Sequence, residues 1–144
     1  MTATATATRP TSEDFASFDR WCERRIKALN NPLKETQRRR RGHNFYPPQA
    51  LRRKVPPLYG TEEVKAADKT VWIHYFGWSN ADWYITEVDW KTGRAFGYAD
   101  LGLGCGEWGY IDLIELEAVN AGPFGSCPER DKWWEPRRFA DIDR

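Results

Sequence analysis

The 144-residue sequence predicts an α+β domain. A small antiparallel β-sheet (hairpin and meander) over about residues 70–111 is packed by an N-terminal amphipathic helix and short helices, and an aromatic-rich C-terminal tail follows. Three observations predict this. The runs TVWIHYF, DWYITEVDW and RAFGYA are rich in β-branched and aromatic residues, alternate with period two and are separated by turn residues. Phe15, Phe18, Cys22, Ile26 and Leu29 recur at spacings of 3, 4, 4 and 3, one apolar stripe along a helix. Finally, 8 Trp, 6 Tyr and 7 Phe make 15% of the chain aromatic, enough apolar surface for a core and against general disorder.

Residues 1–10, MTATATATRP, have nothing to pack and read as a disordered tail. Thr11 or Ser12 then offers a cap to a helix whose first turn carries Glu13 and Asp14, and Asn30, Asn31 and Pro32 end it. Residues 11–45 together form a helical, basic N-terminal extension. Its KETQRRRR stretch closes at Gly42 and reads either as a second short helix or as an extended linker. A domain over 46–120 follows. Pro48 opens a short helix to about Lys54, stopped by Pro56 and Pro57, and Thr61 is placed to cap a turn over Glu62–Ala66. In the first strand Val71, Ile73 and Tyr75 share one face, with Trp72, His74 and Phe76 on the other. In the second, Trp83, Ile85, Glu87 and Asp89 oppose Tyr84, Thr86, Val88 and Trp90. Lys91-Thr92-Gly93 turns the chain into RAFGYA, LGLGCG is a glycine-rich loop, and EWGYI is a further strand. Asp112 and Glu115 have the spacing of a helix cap ahead of Leu113, Leu116 and Ala118 or Val119. Residues 121–144 are broken by Gly and Pro yet carry Phe124, Trp133, Trp134 and Phe139, so this tail is expected to wrap over the body.

Lys plus Arg number 22 and Asp plus Glu 21, a net charge of +1 that argues against a uniformly basic or uniformly acidic protein. The total hides a split. Residues 1–57 carry 13 basic and 5 acidic side chains (+8), and residues 58–144 carry 9 and 16 (−7). Between Arg24 and Lys54 stand 11 basic residues opposed by Glu35 alone. Arg38, Arg39, Arg40, Arg41, Arg52, Arg53 and Lys54 are therefore the candidate nucleic-acid or anion-binding residues. Three readings of the arginine run stay open: a solvated stretch, a phosphate or acidic-partner contact, or docking on the acidic body. Phe45 and Tyr46 beside it suit base stacking, while Pro47 and Pro48 suit a rigid connector. No apolar run approaches 20 residues and no charged-then-apolar leader is present, so neither a membrane span nor secretion is expected, and the cytoplasm of a bacterial cell is the expected location.

Signals for catalysis are weak. Cys22, Cys105 and Cys127 are widely spaced and far from His43 and His74, so neither a disulfide scaffold nor a metal site is expected, and no cofactor is implied. LGLGCG lacks the lysine of a phosphate loop and the dinucleotide pattern. Ser79 and Ser126 lack a nucleophile-elbow context, and no neighbouring histidine activates Cys105. Glu87 and Asp89 lie about 7 Å apart on one strand face, a spacing usable for acid–base or metal chemistry. Asp89, however, has a turn to satisfy, and Asp112 and Glu115 have a helix to cap. Glu87 alone lacks a structural explanation, because its face is shared with Trp83 and Ile85. No residue is assigned a catalytic role.

From Gln49 to Val119 the blocks LRRKVPPLYGTEEV, VWIHYF, WYITEVD, TGRAFGYA and GEWGYIDLIELEAV appear in order. In combination they resemble the bacterial and phage family of domains of unknown function numbered 2958 (DUF2958), met in plasmid, conjugative-element and phage proteins. The resemblance covers about half of the chain, with residues 1–45 and the Trp-containing tail outside its pattern. It implies a compact α+β unit and association with mobile DNA, and no established activity. The residues favour binding over catalysis. One reading is an accessory protein of a phage or mobile genetic element that contacts nucleic acid or an acidic surface through its basic N-terminal arm. The other is a protein-interaction module, a host-defence inhibitor or virion component, with Trp78, Trp90, Trp108 and Glu87 as partner-binding candidates. A small-molecule pocket lined by aromatic residues is a lesser third.

Overall fold

A computed structural model of the chain describes residues 33–120 and 126–144. The predicted tail over 1–10 and the helix carrying Phe15, Phe18, Cys22, Ile26 and Leu29 lie outside the described residues.

KETQRRRR forms one helical turn, α1 (Arg38–Arg41), closed where Gly42 adopts the left-handed conformation (φ 85°) and its N–H returns to the Arg38 carbonyl. The turn α2 (Gln49–Arg52) starts after Pro48, whose fixed φ suits a helix entry. The Thr61 side chain does not cap the turn expected over Glu62–Ala66, where only its carbonyl accepts the Val64 N–H. Its hydroxyl goes to Glu87, and the next helical turn is a 3-10 turn over Ala66–Asp68.

Seven strands follow: β1 (Thr70–Val71), β2 (Ile73–Phe76), β3 (Asp82–Asp89), β4 (Arg94–Asp100), β5 (Glu107–Asp112), β6 (Glu129–Arg130) and β7 (Arg137–Arg138). Five build an antiparallel sheet in the order β5-β4-β3-β2-β6, while β1 and β7 pair as a separate ribbon. Between β5 and β6 lies α3 (Leu113–Ala118), where the Asp112 carboxylate accepts the N–H groups of Ile114 and Glu115, the cap that the sequence predicts. The turn between β3 and β4 is likewise local: Asp89 accepts the Lys91 N–H, and Gly93 sits at φ 78° against Ile114.

Two breaks in strand parity correct the predicted faces. The run Thr70–Phe76 is not one strand. At Trp72 the chain donates its N–H to the Ile85 carbonyl while β1 turns away to β7. Val71 consequently packs with Tyr84 and Phe139, in the layer opposite Ile73 and Tyr75. In β3 the register slips between Ile85 and Glu87, a bulge that gives one extra residue to this strand. Val88 therefore joins the layer of Trp83 and Ile85, and Glu87, placed opposite Phe96, leaves it.

Both faces of the sheet are covered. One layer holds Phe45, Tyr46 and Val55 from the N-terminal segment with Leu113 and Leu116 from α3. Phe45 stacks on Tyr75 at 4.2 Å between ring centres, and the Tyr75 hydroxyl donates to the Phe45 carbonyl. The other layer is built by the C-terminal segment, with Phe139 against Val71, Tyr84, Tyr98 and Trp108. No helix among the described residues is long and apolar enough to cross a membrane.

Candidate functional site

The seven cations singled out by sequence meet different fates. Arg41 is enclosed, not outward-facing, which corrects its place among the anion-binding candidates. Its Nε donates to the Pro128 carbonyl (2.6 Å) and its Nη2 to the Glu117 carbonyl (2.8 Å), while Nη1 meets the carboxylates of Glu117 (3.2 Å) and Glu35 (3.4 Å). Glu117 also accepts the N–H groups of Thr36 and Gln37 and the Thr36 hydroxyl, and Glu35 accepts from the N–H groups of Phe45 and Tyr46. Sequence reasoning missed Glu117. The available signal was its position: an acid at i+4 from Leu113 falls on the apolar stripe of α3 and needs a buried cation. Arg52 is also held, donating to the Pro47 carbonyl with its guanidinium over Trp90 and Tyr46. Arg38, Arg39, Arg40, Arg53 and Lys54 are exposed.

Glu87 receives the structural explanation that the sequence withheld. Turned by the bulge, its buried carboxylate accepts the Tyr59 N–H (2.8 Å), the Thr61 N–H and hydroxyl, and the Lys69 ammonium (3.4 Å). It thereby holds Tyr59 at φ 68°, a conformation that bulky side chains rarely adopt. Burial pushes this carboxyl up, but the bonds from Thr61 and Tyr59 and the Lys69 charge outweigh it and hold it below the usual value. A group so enclosed offers a partner nothing to touch, which corrects its place among the partner-binding candidates.

The three tryptophans expected at a partner surface are all half-buried and committed to neighbours. Trp78 packs near Trp83, and Trp90 donates its indole N–H to the Arg52 carbonyl. Trp108 lies against Phe96, Tyr98 and Phe139. Among the described residues the most exposed large hydrophobic side chains are elsewhere: Trp133 at 87%, Leu103 at 80%, and Tyr59 and Leu101 at 58% and 57%. Within the tail expected to wrap over the body, Trp134 packs on it while Trp133 stays exposed.

The feature with the most chemistry is a cleft of about 330 Å³ between α2 and the turn that follows β6. Its walls include Leu51 and Lys54 on one side, Trp72 and Ile73 behind, and Arg130, Asp131, Lys132 and Trp134 on the other. Three cations thus face one carboxylate, and that carboxylate is already engaged. Asp131 Oδ2 lies 3.2 Å from His74 Nδ1, and its Oδ1 accepts the Trp133 N–H. His74 in turn meets Asp82 at 2.7 Å and stacks on Tyr84. Trp134 is fixed as a wall, its indole N–H donating to the Val71 carbonyl and its ring covered by Arg137 at 4.2 Å. Trp72, half-buried, has no ring or hydrogen-bond partner for its indole among the described residues. The Arg130 Nε donates to the Asn44 carbonyl while the Arg38 Nε donates to the Asn44 side chain, so one asparagine joins the cleft to the exposed arginine turn. Of the sequence candidates, the structure brings only Lys54 into this cleft. Arg130 and Lys132 lie in the half of the chain that counts as acidic, where linear charge arithmetic gave no signal.

Residues 58–140 match the family model described as Protein of unknown function (DUF2958). The chain belongs to this family. The DUF2958 span contains all seven strands and therefore includes Trp133, Trp134 and Phe139, which the sequence resemblance left outside it; it starts at residue 58, not 49. Lys54 and α2 precede it, so the cleft is built on both sides of the DUF2958 boundary. No curated protein and no solved structure matches the chain.

Proposed function

We propose that the chain is a binding protein that contacts nucleic acid without catalysing a reaction on it. The supporting observation is the cleft, in which Lys54, Arg130 and Lys132 surround a half-buried indole and connect through Asn44 to Arg38. Cations supply sequence-independent affinity for phosphates, and an indole supplies a face for a base. Among the described residues, the buried Glu87 and Glu117 and the doubly engaged His74 are committed to partners within the chain. The setting proposed for the chain is a phage or mobile genetic element in a bacterial cell. The test is binding of a labelled oligonucleotide at several salt concentrations, using a variant with Lys54, Lys132 and Arg39 changed to Ser. Each lost phosphate contact is expected to lower the slope of log affinity against log salt by about 0.7–0.9. An unchanged slope overturns the reading.

A second reading, a protein partner, is supported by Leu101 and Leu103, which stand exposed on the loop between β4 and β5. Recovery of the chain from lysate with and without nuclease separates the two. A stoichiometric protein retained after nuclease favours this second reading.

A further inference from the structure

We infer that the cleft receives a single unpaired nucleotide, so that the chain selects single strands over continuous duplex. This rests on the nucleic-acid reading above and names the form of nucleic acid that it takes. A purely electrostatic surface needs only outward-facing cations on a convex body. Here Lys54, Arg130 and Lys132 instead rim a recess of about 330 Å³, close to the lower end of the range for small-ligand sites. At its back stands Trp72, an aromatic ring that no other described ring or cation covers.

In a duplex each base is stacked on both faces and paired along its edge, so only the sugar–phosphate backbone can reach the rim. A base in a single strand, or one turned out of the stack, can enter and lie against the indole. The neighbouring group supports the same occupant. Trp133, next to Lys132 and 87% exposed, offers a second ring outside the recess on which an adjacent base can stack. Trp134 cannot serve this way, because Arg137 covers it. The one carboxylate of the lining, Asp131, is turned toward His74 and the Trp133 N–H, and the three rim cations outnumber its charge. The arrangement is therefore one of phosphates on the rim and a base within.

The experiment needs no variant. Fluorescence anisotropy would compare three ligands of equal length at one salt concentration with the intact chain: a labelled single strand, its duplex, and a single strand of abasic sites. The abasic strand keeps every phosphate and loses every base. The expected result is that the ordinary single strand binds roughly fivefold to a hundredfold tighter than both others. Equal, salt-dependent binding of all three would overturn the inference and leave the nucleic-acid reading standing. Absence of binding to any of them at low salt would overturn both. A Trp133→Ala variant, whose exposed ring contributes little to folding, is expected to reduce the single-strand preference without changing duplex affinity. Equal losses on both ligands would show that Trp133 is no base platform.

Discussion

The four consecutive arginines are expected to be unequal by several kcal/mol, and Arg41→Ala is the decisive change. Its side chain is fully enclosed and pairs with a Glu117 side chain only 2% exposed. Removing it leaves the buried Glu117 carboxylate facing Thr36 and Gln37 without its cation, and frees the Pro128 carbonyl of a donor. Breaking a buried pair by deleting one partner costs about 3–5 kcal/mol. Arg39→Ala, at an exposed position, is expected to stay within about 0.5 kcal/mol. Urea unfolding followed by tryptophan fluorescence measures both. If Arg41→Ala proves too unstable to handle, the pair variant Arg41→Met with Glu117→Met removes both charges at once. It should be markedly more stable than the sum of the single changes, with a coupling of up to about 3 kcal/mol. A loss below about 1 kcal/mol for Arg41→Ala, or strict additivity in the cycle, would refute the ion-pair reasoning.

Other outcomes follow from the same packing. Because Glu87 is held below its ordinary value in the folded state, its contribution is present above about pH 4.3 and disappears as pH falls through the folded value. Glu87→Gln should flatten the acid limb of a stability–pH curve, and an unchanged limb would count against it. Burial, with the Tyr46 phenol beside it, raises Tyr75 well above the tyrosine value. Stability should therefore fall as pH climbs past about 10, and Tyr75→Phe should shallow that fall in alkaline melts. Gly93 and Gly104 share a left-handed backbone, at φ 78° and 77°, but a Cβ on Gly93 would lie 2.8 Å from Ile114 whereas Gly104 faces open space. Gly93→Ala should be the costlier by about 1 kcal/mol or more in thermal unfolding, and equal losses would contradict the packing. Phe45→Ala, which deletes a ring with no exposure stacked on Tyr75, is expected to cost about 3–5 kcal/mol in the same assay.

Features set by neighbours in sequence were legible in advance. The Asp112 cap, the Asp89 turn and the Gly42 terminator depend on residues within four positions of each other, and β3, β4 and β5 follow their local alternation and turn residues; β6 and β7, in the tail, had no such signal. What escaped depends on partners far along the chain. Alternation assigns Val71 and Ile73 to one face, and only pairing with β7 separates them. It also assigns Glu87 to the face of Ile85, and only the bulge against β4 turns it away. Nothing local distinguishes Arg41 from Arg38, because the difference is made by Glu117, 76 positions later. The cleft was illegible for the same reason. Its cations come from two segments more than 70 positions apart, Lys54 after α2 and Arg130 and Lys132 at and just after β6, and Trp72 reads in sequence as one more strand residue.

The linear charge split is therefore a poor map of the charged surface. The basic segment loses Arg41 to a buried pair and Arg52 to aromatic and carbonyl contacts, and the acidic half returns Arg130 and Lys132 to the cleft. Arg41 has a further consequence: by joining residues 35–41 to α3 and to Pro128, it anchors the described part of the basic segment to the body. Arg38 and Lys54 are then presented at fixed positions relative to Arg130, so under the proposed binding role a ligand would meet a preorganised surface without the entropic cost of ordering a tether. Because that anchor and Lys54 lie ahead of residue 58, membership of DUF2958 alone does not carry the cleft. The binding reading belongs to this chain through the segment that precedes the family span.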